Sequence, residues 1–157
     1  MNTAMIADAA HSKALPDLVA KLLTVRQEIL VLYQKLAALK PAMPAGPAQH
    51  LLQRFRQTLM DYLALGPFEV YQALEDQPAD SPYCPARDLA RRLYARIART
   101  TQAVLAFHDR YDGELSDLAL ADLNQELSRL GESLATRIEL EDQIVAAVRN
   151  HSATLAA

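Results

Sequence analysis

The stretch LADLNQELSRLGESL, residues 120–134, decides the fold class of this chain. Its leucines recur in alternating steps of three and four residues, at Leu120, Leu123, Leu127, Leu130 and Leu134. This spacing places them along one face of a helix, while the residues between them are mostly polar or charged. The pattern predicts a long amphipathic helix that packs against other helices through a heptad seam.

The composition extends this prediction to the whole chain. Leu and Ala contribute 26 and 28 of the 157 residues, whereas Val and Ile together contribute 12. Leu and Ala favour helices and β-branched residues favour strands, so an all-α fold is expected. Hydrophobic residues make up 51% of the chain, which is enough to build one core. We therefore predict a single domain over residues 1–157, with residues 1–14 flexible or peripheral.

Charge and apolar patterning narrow the function classes. The net charge of −3 disfavours direct nucleic-acid binding, which usually requires a basic surface. No apolar run approaches the roughly 18 residues of a membrane-spanning helix, and residues 1–13 lack the pattern of a secretory signal. Cys84 is the single cysteine, so no internal disulfide can form. We expect a cytoplasmic protein with no membrane association.

Prolines mark the ends of the predicted helices, because proline inside a helix costs roughly 3 kcal/mol. Between them we expect helices over Pro16–Lys40, Ala48–Leu65, Phe68–Asp76 and Pro85–Tyr111, and a last one from Ser116 or Asp117 to Asn150. Residues 41–47 and the Pro-rich residues 77–85 connect them, and Gly66-Pro67 is expected to break the chain between the second and third helices. Long helices with short connections predict a rod-like antiparallel up-down four-helix bundle with one additional short helix.

Charged residues fall on two of the predicted core faces. Continuing the leucine seam beyond Leu134 brings Arg137 and Glu141 to core positions, four residues apart. Arg26 lies in the apolar stripe of the first helix, at a similar height in an antiparallel bundle. A buried charge must be paired, so we predict a structural network of Arg26, Arg137 and Glu141, with Tyr62 and Thr101 completing its hydrogen bonds.

No spacing in the sequence indicates catalysis or a cofactor. Bundles that bind two iron ions use Glu-x-x-His pairs, and this sequence has none. His108 and Asp112 are spaced to share one metal ion, but two ligands at a helix end do not define a site. Phosphate-binding loops and nucleophile motifs are absent from the sequence as well. We expect no metal, no cofactor and no enzymatic activity.

An exposed strip is predicted on the second helix. At 100° per residue, Asp61 points away from the apolar face, and Leu65 follows it on the same strip. The strip leads into Phe68 and Glu69 at the predicted helix break. An apolar pair beside an exposed carboxylate can form a docking edge for another protein. The arginines of the fourth helix are interpreted as solvated charges.

Three stretches resemble the Rsd/AlgQ family of bacterial regulators that bind the primary sigma factor of RNA polymerase. They are LVAKLLTVRQEILVLYQKLAALKP at 18–41, FRQTLMDYLALGPFEVYQALED at 55–76 and LGESLATRIELEDQIVAAV at 130–148. The resemblance spans most of the chain except residues 1–14 and 77–115. It implies a rod-like helical bundle that acts as an anti-sigma factor, sequestering sigma from core polymerase and DNA.

The resemblance also implies which residues contact the partner. Asp61, Leu65, Phe68 and Glu69 match the second motif, and Lys21 and Leu22 lie at the edge of the first helix where the family often has a tryptophan. The family usually has histidine where this chain has Pro67. These two departures from the family pattern, at Leu22 and Pro67, fall within the expected contact region.

Two other function classes remain open from the sequence. A histidine phosphotransfer bundle would use His50, but the small residue and lysine that usually flank such a histidine are absent from QHLLQR. A cytoplasmic adapter for an unrelated partner is the other alternative. We expect a monomer, with weak homodimerisation as the alternative state.

Overall fold

The computed structural model describes the backbone of residues 3–39, 45–113 and 115–156, and the side chains of residues 14–39, 46–113 and 115–150. Within these ranges every regular element is helical and no strand is present, which confirms the all-α prediction. In chain order the elements are α1 (Thr3–Ala37), α2 (Ala45–Leu65), a π-helical turn (Gly66–Val70), α3 (Tyr71–Glu75), α4 (Cys84–Arg110) and α5 (Asp117–Ala156).

The long helices form two pairs around one core. α1 packs against α2, α4 packs against α5, and contacts of α1 with α5 and of α2 with α4 join the pairs. Contacts between α1 and α5 run in opposite order along the two helices, because Arg26 contacts Asp142 whereas Tyr33 contacts the carbonyl of Leu127. These two helices therefore run antiparallel.

The leucine seam of α5 lies in the core as predicted. Leu123, Leu127, Leu130 and Leu134 are buried, and Leu120 packs partly buried against them. Each fully buried leucine contributes roughly 1.5–3 kcal/mol to stability.

The predicted start of the first helix at Pro16 is wrong. α1 begins at Thr3 and runs through Pro16, whose neighbours Leu15 and Val19 are fully buried. Burial of these side chains offsets the hydrogen bond that a proline removes from a helix interior. The predicted end at Lys40 and residues 41–44 of the predicted loop lie outside the described residues. α2 begins at Ala45, three residues before the predicted Ala48.

The predicted break at Gly66-Pro67 is also wrong, because the chain remains helical there. The amide of Tyr71 donates to the carbonyl of Gly66, a bond that spans five residues as in a π-helix. Pro67 has no amide hydrogen for the preceding turn, and a widened turn accommodates this loss without ending the helix. Phe68–Asp76 is therefore not a separate helix, and α3 simply continues from the π-turn.

The last two helices match the prediction closely. α4 differs from the predicted Pro85–Tyr111 by one residue at each end, and α5 extends past the predicted Asn150. Gly113, with φ of 84°, provides the left-handed residue that terminates α4. The Ser116 hydroxyl accepts the Ala119 amide at 3.1 Å and caps α5. No helix in the described ranges combines the length and the apolarity needed to cross a membrane.

Candidate protein-interaction site

The π-turn presents an apolar side chain to solvent. Phe68 is 78% exposed, although residues on either side of it, Gly66 and Val70, are buried. An apolar side chain exposed singly is ordinary, whereas one that forms a patch with other exposed apolar residues marks a binding surface. Met60, one residue before Asp61 on α2, is a further partly exposed large hydrophobic residue.

Two carboxylates lie near Phe68 along the chain, at Asp61 and Glu69. Asp61 is exposed, forms no ion pair with any described residue, and lies seven residues before Phe68, roughly 10 Å along a helix. Glu69 accepts from the Lys21 ammonium of α1 at 3.4 Å, and both side chains are exposed. Such a surface pair contributes at most about 1 kcal/mol to stability, so it is free to exchange partners. We refer to Lys21, Met60, Asp61, Phe68 and Glu69 as the Phe68 surface.

Two residues expected at this surface are buried instead. Leu22 is 1% exposed and Leu65 is 4% exposed, so neither is available to a partner in this fold. Leu22 belongs to the apolar stripe of α1, and Leu65 is covered because α2 packs against α1, α4 and the π-turn together. A helix that packs against neighbours on several sides buries residues over a wider arc of its circumference than a helical wheel with a single buried face predicts.

The predicted charge network is present at the centre of the bundle. Arg137 and Glu141 are each 1% exposed, and Arg137 Nε lies 3.3 Å from Glu141 Oε2. The Tyr62 hydroxyl donates to Glu141 Oε1, and the Tyr62 ring stacks against the Arg137 guanidinium at 5.5 Å. Arg137 Nη1 also donates to the Thr101 hydroxyl at 2.8 Å. The roles predicted for Tyr62 and Thr101 are therefore confirmed.

Arg26 lies at the edge of this network and is not buried in its centre. It is 16% exposed, its Nη1 lies 3.8 Å from Glu141 Oε1, and the same nitrogen donates to Asp142 Oδ1 at 2.7 Å. The apolar spacing of α5 does not predict this contact of Asp142, which follows Glu141 in the sequence. Arg26 thus links the buried pair to a carboxylate at the surface.

Burial also changes the proton affinities in the network. Desolvation raises the pKa of the Glu141 carboxyl, and the charge of Arg137 opposes that rise. Burial and the nearby carboxylate raise the pKa of the Tyr62 hydroxyl, which keeps it protonated as a donor to Glu141. Tyr71, which follows the π-turn, has its pKa raised by the same causes. The buried charges of the network are held by pairing.

The two residues spaced for a metal ion contact an arginine. Arg56 Nε donates to the carbonyl of His108 at 2.9 Å, and Arg56 Nη2 pairs with Asp112 at 3.1 Å. Arg56 Nη2 also lies 3.4 Å from His108 Nε2, so the guanidinium contacts both side chains. His50, the histidine considered for phosphotransfer, lies exposed on α2.

Comparison with known proteins assigns this helical domain with a buried ion pair to a class of transcription regulators. Residues 6–149 match the family described as regulator of RNA polymerase sigma(70) subunit, Rsd/AlgQ. The chain belongs to this family.

Similar curated proteins carry the name regulator of sigma D. The protein of Yersinia enterocolitica serotype O:8 is 33% identical over 132 residues, which covers 82% of this chain and 78% of the relative. Those of Yersinia pseudotuberculosis serotype O:1b and of Enterobacter sp. strain 638 are each 31% identical, with the same shares of both chains covered. No solved structure matches this chain significantly.

Proposed function

We propose that this protein is an anti-sigma factor that binds the primary sigma factor of bacterial RNA polymerase. The observation that carries the proposal is its membership of a family of sigma(70) regulators, with relatives named regulator of sigma D. We further propose that the protein acts in the cytoplasm as a monomer, without an enzymatic step or direct nucleic-acid binding. Its expected target is chiefly the C-terminal region of sigma, which recognises the promoter −35 element.

The Phe68 surface is the proposed contact. Burial of the exposed Phe68 ring against sigma would contribute about 1.5–3 kcal/mol, the scale of an interface anchor. Asp61 offers a carboxylate that has no partner among the described residues. A helix-turn-helix that reads DNA presents basic residues to phosphates, so a carboxylate at this place fits it electrostatically.

The mechanism needs no chemical change in sigma. A domain that covers the DNA-reading surface prevents promoter recognition, and binding to free sigma withdraws it from core polymerase by mass action. The buried Arg137–Glu141 pair has a supporting role in this account, since it holds α5 against α2 beneath the Phe68 surface.

Titration calorimetry with the purified C-terminal region of the primary sigma factor tests the proposal. Phe68→Ala and Asp61→Ala should each weaken binding by roughly tenfold or more, which corresponds to about 1.4 kcal/mol. Both variants should melt like wild type, because exposed substitutions usually change stability by under about 0.5 kcal/mol. Affinity should fall with added salt if carboxylates meet a basic surface.

Leu118→Ala provides the matched control, because Leu118 is 81% exposed on α5, away from the Phe68 surface. It should bind sigma like wild type. Unchanged affinity in both Phe68→Ala and Asp61→Ala across a salt series would place the contact elsewhere. No binding of wild type to the C-terminal region would contradict the assignment of the target region.

A further inference from the structure

Three arginines on the outer face of α4 form no ion pair with any described residue. Arg92, Arg96 and Arg99 are exposed and spaced by four and three residues, so they lie along one face of the helix. Together they span roughly 10 Å of the helix axis. Most other basic residues of the described chain are paired, and the whole protein carries a net charge of −3. A local stripe of unpaired positive charge is therefore unusual on this molecule.

Small residues continue the same face toward the end of α4. Ala103 follows Arg99 by four residues and Ala106 follows by seven, so the alternating steps of four and three persist. This spacing is that of a seam that contacts a second helix, yet at 100° per residue it lies roughly a third of a turn away from the buried face of α4, which includes Ile97 and Val104. Alanines in such a seam allow a partner helix to approach closely, since they present little side-chain bulk.

A groove opens between α4 and α5 at the alanine end of the seam. It encloses about 590 Å³, and its lining includes Ala103, Ala106, Phe107 and Leu130. The rest of the lining is polar, with Asp109, Arg129, Ser133 and the Arg110–Glu126 pair, although apolar atoms provide most of the exposed area of the groove. An apolar groove beside a charged stripe is the arrangement that an amphipathic helix recognises.

We propose that this face of α4 is a second docking surface, which accepts an acidic amphipathic helix of a partner protein. The apolar side chains of the partner helix lie in the α4–α5 groove, and the carboxylates of that helix pair with Arg92, Arg96 and Arg99. Arginine suits this role because its planar fork binds carboxylates through two hydrogen bonds. A DNA duplex fits less well. It carries one negative charge per roughly 1.7 Å, and beyond the three arginines it would meet a protein of net negative charge, which would repel it.

This surface is separate from the Phe68 surface. Phe68 lies on the π-turn and Asp61 on α2, whereas the seam lies along the side of α4 that borders the α4–α5 groove. The inference does not depend on sigma binding. The two surfaces would allow the protein to hold one partner without releasing the other.

A designed helical peptide tests the proposal. It carries glutamates at three positions spaced by four and three residues, followed by leucines in the same register, and its counterpart has glutamine in place of glutamate. By fluorescence anisotropy at low salt, the wild-type protein should bind the glutamate peptide at least about tenfold more tightly than the glutamine peptide. Ala106→Trp, which fills the groove, should weaken binding of the glutamate peptide by a similar factor.

Two charge-reversed variants separate a specific seam from general electrostatics. Arg92→Glu/Arg96→Glu should lose at least about tenfold in affinity for the glutamate peptide. Lys35→Glu/Arg54→Glu changes the net charge equally at exposed residues of α1 and α2, and should lose less than about twofold. Equal losses in both variants, or equal binding of both peptides, would overturn the proposal.

Two further readouts distinguish the other occupants. Self-association of the wild type that Arg92→Glu/Arg96→Glu abolishes, without any binding of the peptide, would assign the seam to a second copy and overturn the proposal. Tighter binding of a DNA duplex than of the peptide, through the same arginines, would likewise overturn it. Sigma affinity should stay unchanged in this variant, and a tenfold loss would instead make the seam part of the sigma site.

Discussion

Removal of the Glu141 carboxylate is the sharpest perturbation of the fold. Glu141 is 1% exposed and meets the Arg137 guanidinium, the Tyr62 hydroxyl and the edge of Arg26. Glu141→Ala would leave the Arg137 charge buried without its carboxylate, and would leave the Tyr62 hydroxyl without its acceptor. Both losses occur in the core, where groups left without a partner are shielded from bulk water.

The expected cost is about 3–5 kcal/mol, the range measured when one partner of a buried ion pair is removed. For a domain of this size, 1 kcal/mol lowers the melting temperature by about 2–4 °C, so a loss of roughly 6–20 °C should follow. Urea unfolding followed by circular dichroism measures the free energy directly. Glu139→Ala, two residues away on the exposed side of α5, is the control and should cost under about 0.5 kcal/mol.

A double-mutant cycle decides whether the pair acts as a unit. Arg137→Met/Glu141→Leu replaces both charges with apolar side chains of similar volume, and it should cost clearly less than the sum of the single changes. Additive costs would refute the reasoning, as would a Glu141→Ala variant as stable as wild type. A stable Glu141→Ala variant that no longer binds sigma would move this residue from a structural to a binding role.

Further predictions follow from the same contacts. Arg26→Ala should cost less than Arg137→Ala in urea unfolding, because Arg26 is 16% exposed and leaves Glu141 its closer partner. Burial raises the pKa of Glu141, so the folded state holds this proton more tightly than the unfolded chain. The stability of wild type relative to Glu141→Gln should therefore fall as pH rises above the ordinary carboxyl value of 4.5, and a rise would contradict the direction. Gly66→Ala should destabilise by about 1–3 kcal/mol, because its Cβ would lie 3.2 Å from Cε2 of the Tyr71 ring, closer than ordinary van der Waals contact. Gly46→Ala, with open space around its Cβ, should instead stabilise α2 by up to about 1 kcal/mol, as thermal melting would show.

Local spacing was sufficient to predict most of the fold. The seam from Leu123 to Leu134 and the stop at Gly113 depend on contacts within a few residues, and both lie where the sequence places them. Pro16 and Pro67 predict helix ends when only neighbouring residues are considered, because proline removes a backbone hydrogen bond from a helix interior. The helices tolerate these prolines because core burial offsets the cost at Pro16 and a π-turn accommodates Pro67. Both are tertiary effects that no local sequence pattern contains.

The site was predictable only in part, for a related reason. Charges on an apolar face must find partners, and this rule alone predicted the pairing of Arg137 with Glu141. Exposure is harder to predict, because it depends on how many helices surround each position. Leu22 and Leu65 are buried for that reason, whereas Phe68 is exposed because it lies on the outside of the π-turn.

Competition with core polymerase tests the central claim most directly. Labelled primary sigma factor is mixed with core RNA polymerase and increasing amounts of this protein, and the species are separated by size-exclusion chromatography. We predict that sigma moves from the polymerase fraction into a complex with this protein that contains no core enzyme, and that Phe68→Ala requires roughly tenfold more protein for the same shift. Sigma that stays bound to core polymerase at saturating protein, or a stable complex of all three components, would contradict sequestration.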